Sequence, residues 1–102
     1  MRDSRQNDIL TIKVIGDIDH HNAQGVRSLA DSVIFEKRPR LVIMDLAAVE
    51  FMDSSGLGLI LGRFNASEEI GAEFKIIKPA RSVQRVLELA GIERIIKIEG
   101  GK

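Results

Sequence analysis

The chain reads as a single α/β domain, a mostly parallel sheet of about four to five strands packed with α-helices. Two observations predict this. Segments of strand period and of helix period alternate along the chain, an order that joins parallel strands through helices. The length, 102 residues, suits one domain, and no linker, internal repeat or low-complexity stretch divides it. Residues 1–102 are therefore taken as one unit.

The elements follow in order. The first eight residues, MRDSRQND, are polar and charged and predict a short N-terminal tail, with no apolar signal-peptide core behind it. In "ILTIKVIG" (9–16), Leu10, Ile12 and Val14 alternate with Thr11 and Lys13, a half-buried strand that stops at Gly16. From Asn22 the period lengthens, and Val26, Leu29, Ala30, Val33 and Ile34 form one apolar stripe of a helix. Arg38-Pro39 ends it, because proline pushes its preceding residue out of helical geometry. "LVIMDL" (41–46) is nearly all apolar, as expected of a central strand covered on both faces.

"FMDSSGLGLILGRF" (51–64) opens a second helix, with Leu57, Ile60, Leu61 and Phe64 on one face and Gly71 as its stop. Gly58 and Gly62 share a side of it, which predicts close approach to the sheet or a neighbour. "EFKIIK" (73–78) is a strand closed by Pro79. "SVQRVLELAG" (82–91) is a helix with Val83, Val86, Leu87 and Ala90 as its stripe and Gly91 as its stop. "RIIKIE" (94–99) is a last short strand.

Composition excludes several functions. Fifteen Lys and Arg balance fifteen Asp and Glu, so no global field draws nucleic acid or an anionic membrane. With no Tyr or Trp and four Phe, there is little aromatic surface on which bases could stack. The absence of cysteine removes disulfides, thiolate catalysis and thiolate-bound metals. The longest apolar patch, around Leu57 to Leu61, falls far short of the ~20 residues of a membrane span. The expectation is a cytoplasmic protein that binds neither nucleic acid nor membrane and is a monomer when free.

Right-handed crossovers place the loops after successive parallel strands at one edge of the sheet, where open α/β sheets tend to put function. "GDIDHHN" and "FMDSSG" then become neighbours. Asp53-Ser54-Ser55-Gly56 admits two readings. An Asp or Ser before an apolar helix is a cap, its oxygen accepting from unpaired backbone N–H groups. The same helix start also favours an anion, by ~0.3–1 kcal/mol, so a phosphate on a first-turn serine is tolerated. It would add about −1.5 to −2 charge beside Asp53 and Asp19.

Other chemistries fit less well. Gly56, Gly58 and Gly62 lack the spacing of a phosphate-binding loop. His20 and His21 are adjacent and point different ways, with no third metal ligand at convincing spacing. A serine hydrolase would want G-x-S-x-G, and residues 53–57 read D-S-S-G-L. Neither a cofactor, nor a metal, nor an enzymatic activity of its own is expected. "LVIMDL" and "IIKPA" resemble a phospho-aspartate receiver with Asp45 as acceptor and Lys78 as the lysine before a proline. However, only one helix and one strand fit between them, where receivers place two further strands. Asp17 and Asp19 are also separated by Ile18, whereas the receiver's metal-holding acids are adjacent.

"GDIDHHNA" (16–23) and "FMDSSGLGLILGRF" (51–64) together resemble the anti-sigma factor antagonists, small STAS-domain proteins of bacterial partner switching. The likeness extends through "LVIMDL", "PARSVQRVLELAGI" and the last strand. The paired histidines are most similar to the sporulation branch, which controls sigma factor F. The resemblance implies an anti-sigma factor that is also an ATP-using serine kinase. The dephosphorylated antagonist binds it and frees the sigma factor; phosphorylation ends the binding, and a phosphatase resets it. The phosphoacceptor would be the second serine of D-S-S-G, Ser55. Ser54 would then be a neighbour and a helix-cap contact, and Asp53 and Gly56 would shape the turn. Asp17, Asp19, His20, His21 and Asn22 would form the partner-facing loop. The family's further C-terminal helix has no counterpart before the chain's end at Glu99-Gly-Gly-Lys.

Overall fold

A computed structural model of the chain describes residues 8–19, 21 and 23–100, together with the backbone of 2–6. The strands are β1 (Arg2–Gln6), β2 (Ile9–Ile15), β3 (Leu41–Ala48), β4 (Glu73–Ile77) and β5 (Lys97–Glu99). The helices are α1 (Ala23–Lys37), α2 (Ser54–Glu69) and α3 (Arg81–Leu89), with a 3-10 turn at Ile92–Arg94. The strands form one five-stranded sheet in sequence order, in which β2 to β5 are parallel and β1 is antiparallel to β2. Among the described residues no helix is long and apolar enough to cross a membrane.

Register sorts the strand residues into two faces. Leu10, Val42 and Phe74 form one row and Ile12, Met44, Ile76 and Ile98 the next. All but Ile98 are buried, and this face carries the core. Ala30 and Ile34 of α1, Leu59, Ile60 and Ala66 of α2, and Val83 and Leu87 of α3 pack into it. Burial of such a continuous apolar layer, at ~25 cal/mol per Å² of apolar surface, is the main term holding the sheet to its helices.

Several expectations are corrected. The N-terminal tail is in part a strand: Arg2–Gln6 pairs along β2, and its polar sequence carries no hydrophobic period by which to recognise it. The run at 41–46 is fully buried on one face only. Leu41, Ile43 and Asp45 are half-buried: their rows hold Ile9 and Glu73, Thr11 and Lys75, and Lys13 and Ile77, a mixed polar and apolar face with no helix of the core against it. On that open face Lys75 Nζ lies 2.8 Å from Glu99 Oε1.

The last strand begins at Lys97 and not at residue 94, since Ile92–Arg94 makes a 3-10 turn after Gly91 at φ 73°. Leu29, at 57% exposure, leaves the α1 stripe, and Ala90 is exposed. Gly58 and Gly62 serve no close packing, as a Cβ at either would meet nothing within 4 Å. The tight glycine is Gly56.

The middle of α2 holds a charge that the hydrophobic pattern does not announce. Arg63 is 3% exposed, and its Nε and Nη2 reach the Asp31 carboxylate of α1 at 2.6 and 3.1 Å. Its Nη1 donates to the Leu59 carbonyl at 3.2 Å. Burial pushes the guanidinium below its usual range, and the Asp31 charge and hydrogen bond pull it back. This pair ties α1 to α2.

Candidate functional site

The site is built where two loops leave the carboxyl ends of β2 and β3. A register shift between Lys13 and Ile15 brings Ile15 opposite Ala48, and Gly16, at φ 88°, turns the chain while donating to the Ala48 carbonyl at 3.3 Å. The loops then run side by side. Ile18 and Met52 form a parallel bridge: Ile18 N donates to Phe51 O at 3.0 Å, and Asp53 N donates to Ile18 O at 3.2 Å. The Asp17 carboxylate accepts from Phe51 N at 3.2 Å. The predicted adjacency of "GDIDHHN" and "FMDSSG" is therefore direct backbone contact.

Each loop goes on to start a helix. Asp19 accepts from His21 N through its side chain at 2.9 Å and from Ala23 N, the first residue of α1, through its carbonyl at 3.1 Å. Asp53 is the N-cap of α2, in extended geometry, and its Oδ1 accepts from Ser55 N at 2.8 Å. Capping is thus done by Asp53; Ser54 is the first helical residue and is exposed, and Ser55 is half-buried on the same first turn. His20 and Asn22 lie outside the described residues.

Gly56 is needed for shape. A Cβ there would lie 2.0 Å from Met52 Cγ, 2.5 Å from Met52 Sδ and 3.3 Å from an Ile18 methyl. The helix start therefore sits directly on the buried Ile18–Met52 bridge. Those two side chains were not singled out from the sequence, although Ile18 is an apolar residue framed by Asp17 and Asp19 and Met52 directly precedes the capping Asp53. They fix where the serines stand.

The surroundings divide into two surfaces. Toward α3, Met52, Ser54, Leu57, Val86 and Leu89 line an open hollow of about 410 Å³, and Leu89 is 83% exposed. Ser82 Oγ, at the start of α3, donates to Glu50 O at 2.9 Å and secures the loop from that side. Phe51, beside the bridge, is 54% exposed. Leu89 and Phe51 were missed as site residues; their signal is that each large apolar side chain stands off the stripe or strand that would bury it. Toward α1 there is a larger and more polar groove.

The alternative chemistries find little support in the geometry. Asp45 sits within β3, its Oδ1 accepting from Ala47 N at 2.9 Å, with three more strand residues beyond it. Among the described residues no group of three His, Asp or Glu side chains could hold a metal ion.

Comparison with known proteins gives a consistent family. The family model described as the STAS domain matches residues 2–100. An anti-sigma F factor antagonist of Paenibacillus polymyxa is 33% identical over 90 residues, 88% of this chain and 77% of the relative. An anti-sigma-B factor antagonist of Listeria monocytogenes is 29% identical over 96 residues, 93% of this chain and 82% of the relative. Among solved structures, the anti-sigma factor antagonist SpoIIAA in its unphosphorylated form superposes with a TM-score of 0.81 at 26% identity, covering 95% of this chain and 85% of that one.

Proposed function

The chain belongs to the STAS-domain family, and from that premise we propose that it is an anti-sigma factor antagonist switched by phosphorylation of Ser55. The dephosphorylated form binds an anti-sigma factor that is also a serine kinase and so releases the sigma factor. The kinase transfers the γ-phosphoryl group of ATP to Ser55 Oγ, forming the O–P bond as ADP leaves and a kinase base takes the hydroxyl proton. A separate phosphatase restores the serine. The protein is a monomer when free, works in the cytoplasm and is itself no enzyme.

One observation carries this reading. Ser55 stands on the first turn of a helix whose start is locked to the Asp17–His21 loop by the Ile18–Met52 bridge. Partner-facing loop and phosphoacceptor therefore form one rigid edge. Asp17, Asp19 and His21 supply its polar rim, while Phe51 and Leu89 supply exposed apolar contacts; a partner-binding role for His20 and Asn22 rests on their sequence alone. A phosphate there adds about −1.5 to −2 charge without asking the core to move. At a docked interface, like-charge and desolvation costs of ~3–4 kcal/mol would weaken binding by a few hundredfold.

The test is incubation with an anti-sigma serine kinase and ATP, followed by peptide mapping of the added mass. One phosphate on Ser55, absent in Ser55→Ala, is the expected result. Intact binding with no phosphate on Ser55 would leave an interaction module whose turn is only a cap. The Listeria relative supports a second reading within the same class, a general-stress antagonist. The two separate by which sigma factor's kinase accepts the chain.

A further inference from the structure

We propose that the groove between α1 and α2 is a cradle for the phosphate once it is on Ser55, and that Arg27 is the side chain that holds it. The proposal rests on the reading of Ser55 as the modified residue and adds where its phosphate goes.

The groove has a volume of about 550 Å³ and is lined by Ser55, Gln24, Arg27, Gly58, Gly62 and Arg63, among others. Among the described residues no carboxylate lines it. Arg63 is committed to Asp31 at the back. Arg27 is exposed, and among the described residues no ion pair occupies it. The surplus charge facing the groove is therefore one guanidinium, on the same cavity wall system as the Ser55 side chain. Burial is the main reason Arg63 is pushed below its usual range, and repulsion from Arg27 adds to it, which places the two cations within electrostatic reach. An anion in the groove would relieve that repulsion.

The floor is unusually bare. Gly58 and Gly62 each weaken a helix relative to alanine, yet a Cβ on either would touch nothing in the free protein. Their smallness therefore keeps space that the chain itself does not use. Gln24 stands one turn before Arg27 on the same side of α1 and offers an amide donor. A phosphate tethered to Ser55 is present at high effective concentration, and a guanidinium grips phosphate through paired, charge-assisted hydrogen bonds. One modification would thus add an anion to the start of α2 and occupy the cation of α1. A docked partner would meet both changes together.

Phosphoserine installed co-translationally at position 55 of the full chain tests this without a kinase. The probe is the second ionisation of that phosphate, followed by ³¹P NMR across pH. An exposed phosphoserine titrates near pH ~6, and a nearby guanidinium lowers the midpoint. Arg27→Gln should raise it by roughly half to one pH unit, and Arg27→Lys by less. A midpoint that Arg27→Gln leaves unchanged overturns the cradle. So does an unchanged midpoint joined to weaker partner binding, since that gives Arg27 to the partner. A kinase that modifies some other residue would defeat the functional reading alone, because the installed phosphate still reports on the groove.

Discussion

Helix α2 handles charge in opposite ways at its middle and at its start. In the middle, Arg63 is 3% exposed and clamped by Asp31 across the α1–α2 contact. At the start, Asp53, Ser54 and Ser55 are half-buried or exposed, and what holds them is the Asp53 cap together with backbone hydrogen bonding over an apolar bridge. The difference has a physical reason. A buried charge must keep its partner, so it cannot be part of a switch without unfolding the region. A helix start fastened by shape, main-chain contacts and carboxylate caps that no buried counter-charge has to match can take on new charge while its anchor stays in place. The molecule places its fixed charge one half of the helix away from the charge it is proposed to vary.

The sharpest way to break that comparison is to remove the fixed partner. Asp31→Ala leaves the Arg63 guanidinium buried and uncompensated, which for a fully buried pair costs ~3–5 kcal/mol. The Asp31 side chain is 31% exposed, so solvent reduces the expected loss to ~2–3 kcal/mol. Urea unfolding monitored by circular dichroism would read it as a fall in the midpoint. Replacing both residues, Asp31→Leu with Arg63→Met, should recover most of the loss, because two apolar side chains need no mutual compensation. A single mutant as stable as the parent would mean that the pair does not hold the helices together.

The start of the helix should instead respond to shape. Gly56→Ala gains ~1 kcal/mol of helix propensity but drives a methyl group into Met52 and Ile18. Overpacking of this kind costs ~1–3 kcal/mol. Met52 is 3% exposed and borders the hollow toward α3, so its side chain can give way only in part, and a net loss of about 1 kcal/mol is expected. Met52→Ala in the same chain supplies the missing space, so the double mutant should be less destabilised than the sum of the two singles. Strict additivity in that double-mutant cycle would show that Gly56 is required for some reason other than Met52.

Much of this was legible in the sequence, and the exceptions are instructive. The alternation at 9–16, the helical stripes and the D-S-S-G start follow local periods, and local periods are what a sequence displays. The adjacency of the two loops followed from topology once the first hydrophobic strand was taken as parallel to the central one, which the β2–β3 pairing bears out. What stayed hidden depends on distant partners. Arg63 lies 32 residues from Asp31 in the chain, and an arginine within an apolar run reads as an interruption until its carboxylate is found. Gly58 and Gly62 share a face by spacing, but only coordinates show that nothing lies over them and that Gly56 is the tight one. The strand Arg2–Gln6 carries no hydrophobic period, because an edge strand is fixed by main-chain pairing more than by buried side chains.

A third charged contact, on the open face of the sheet, should behave like neither end of α2. The Lys75 ammonium donates to Glu99 across the β4–β5 edge at 2.8 Å. That hydrogen bond, and then the Lys75 charge, hold the Glu99 carboxyl below its usual range. A carboxyl depressed in the folded state adds stability that is full above its unfolded value of ~4.3 and is lost as pH falls through the folded one. Glu99→Gln should therefore melt slightly below the parent at neutral pH, with the gap closing as the medium is acidified through that range. The effect should be the smallest of the three and should shrink with added salt, since the pair faces solvent. A gap that persisted in acid would mean that Glu99 contributes through packing on the sheet edge and not through its charge. A gap as large as that of Asp31→Ala would undo the distinction itself, because exposure would then no longer separate a charge the fold depends on from one it merely carries.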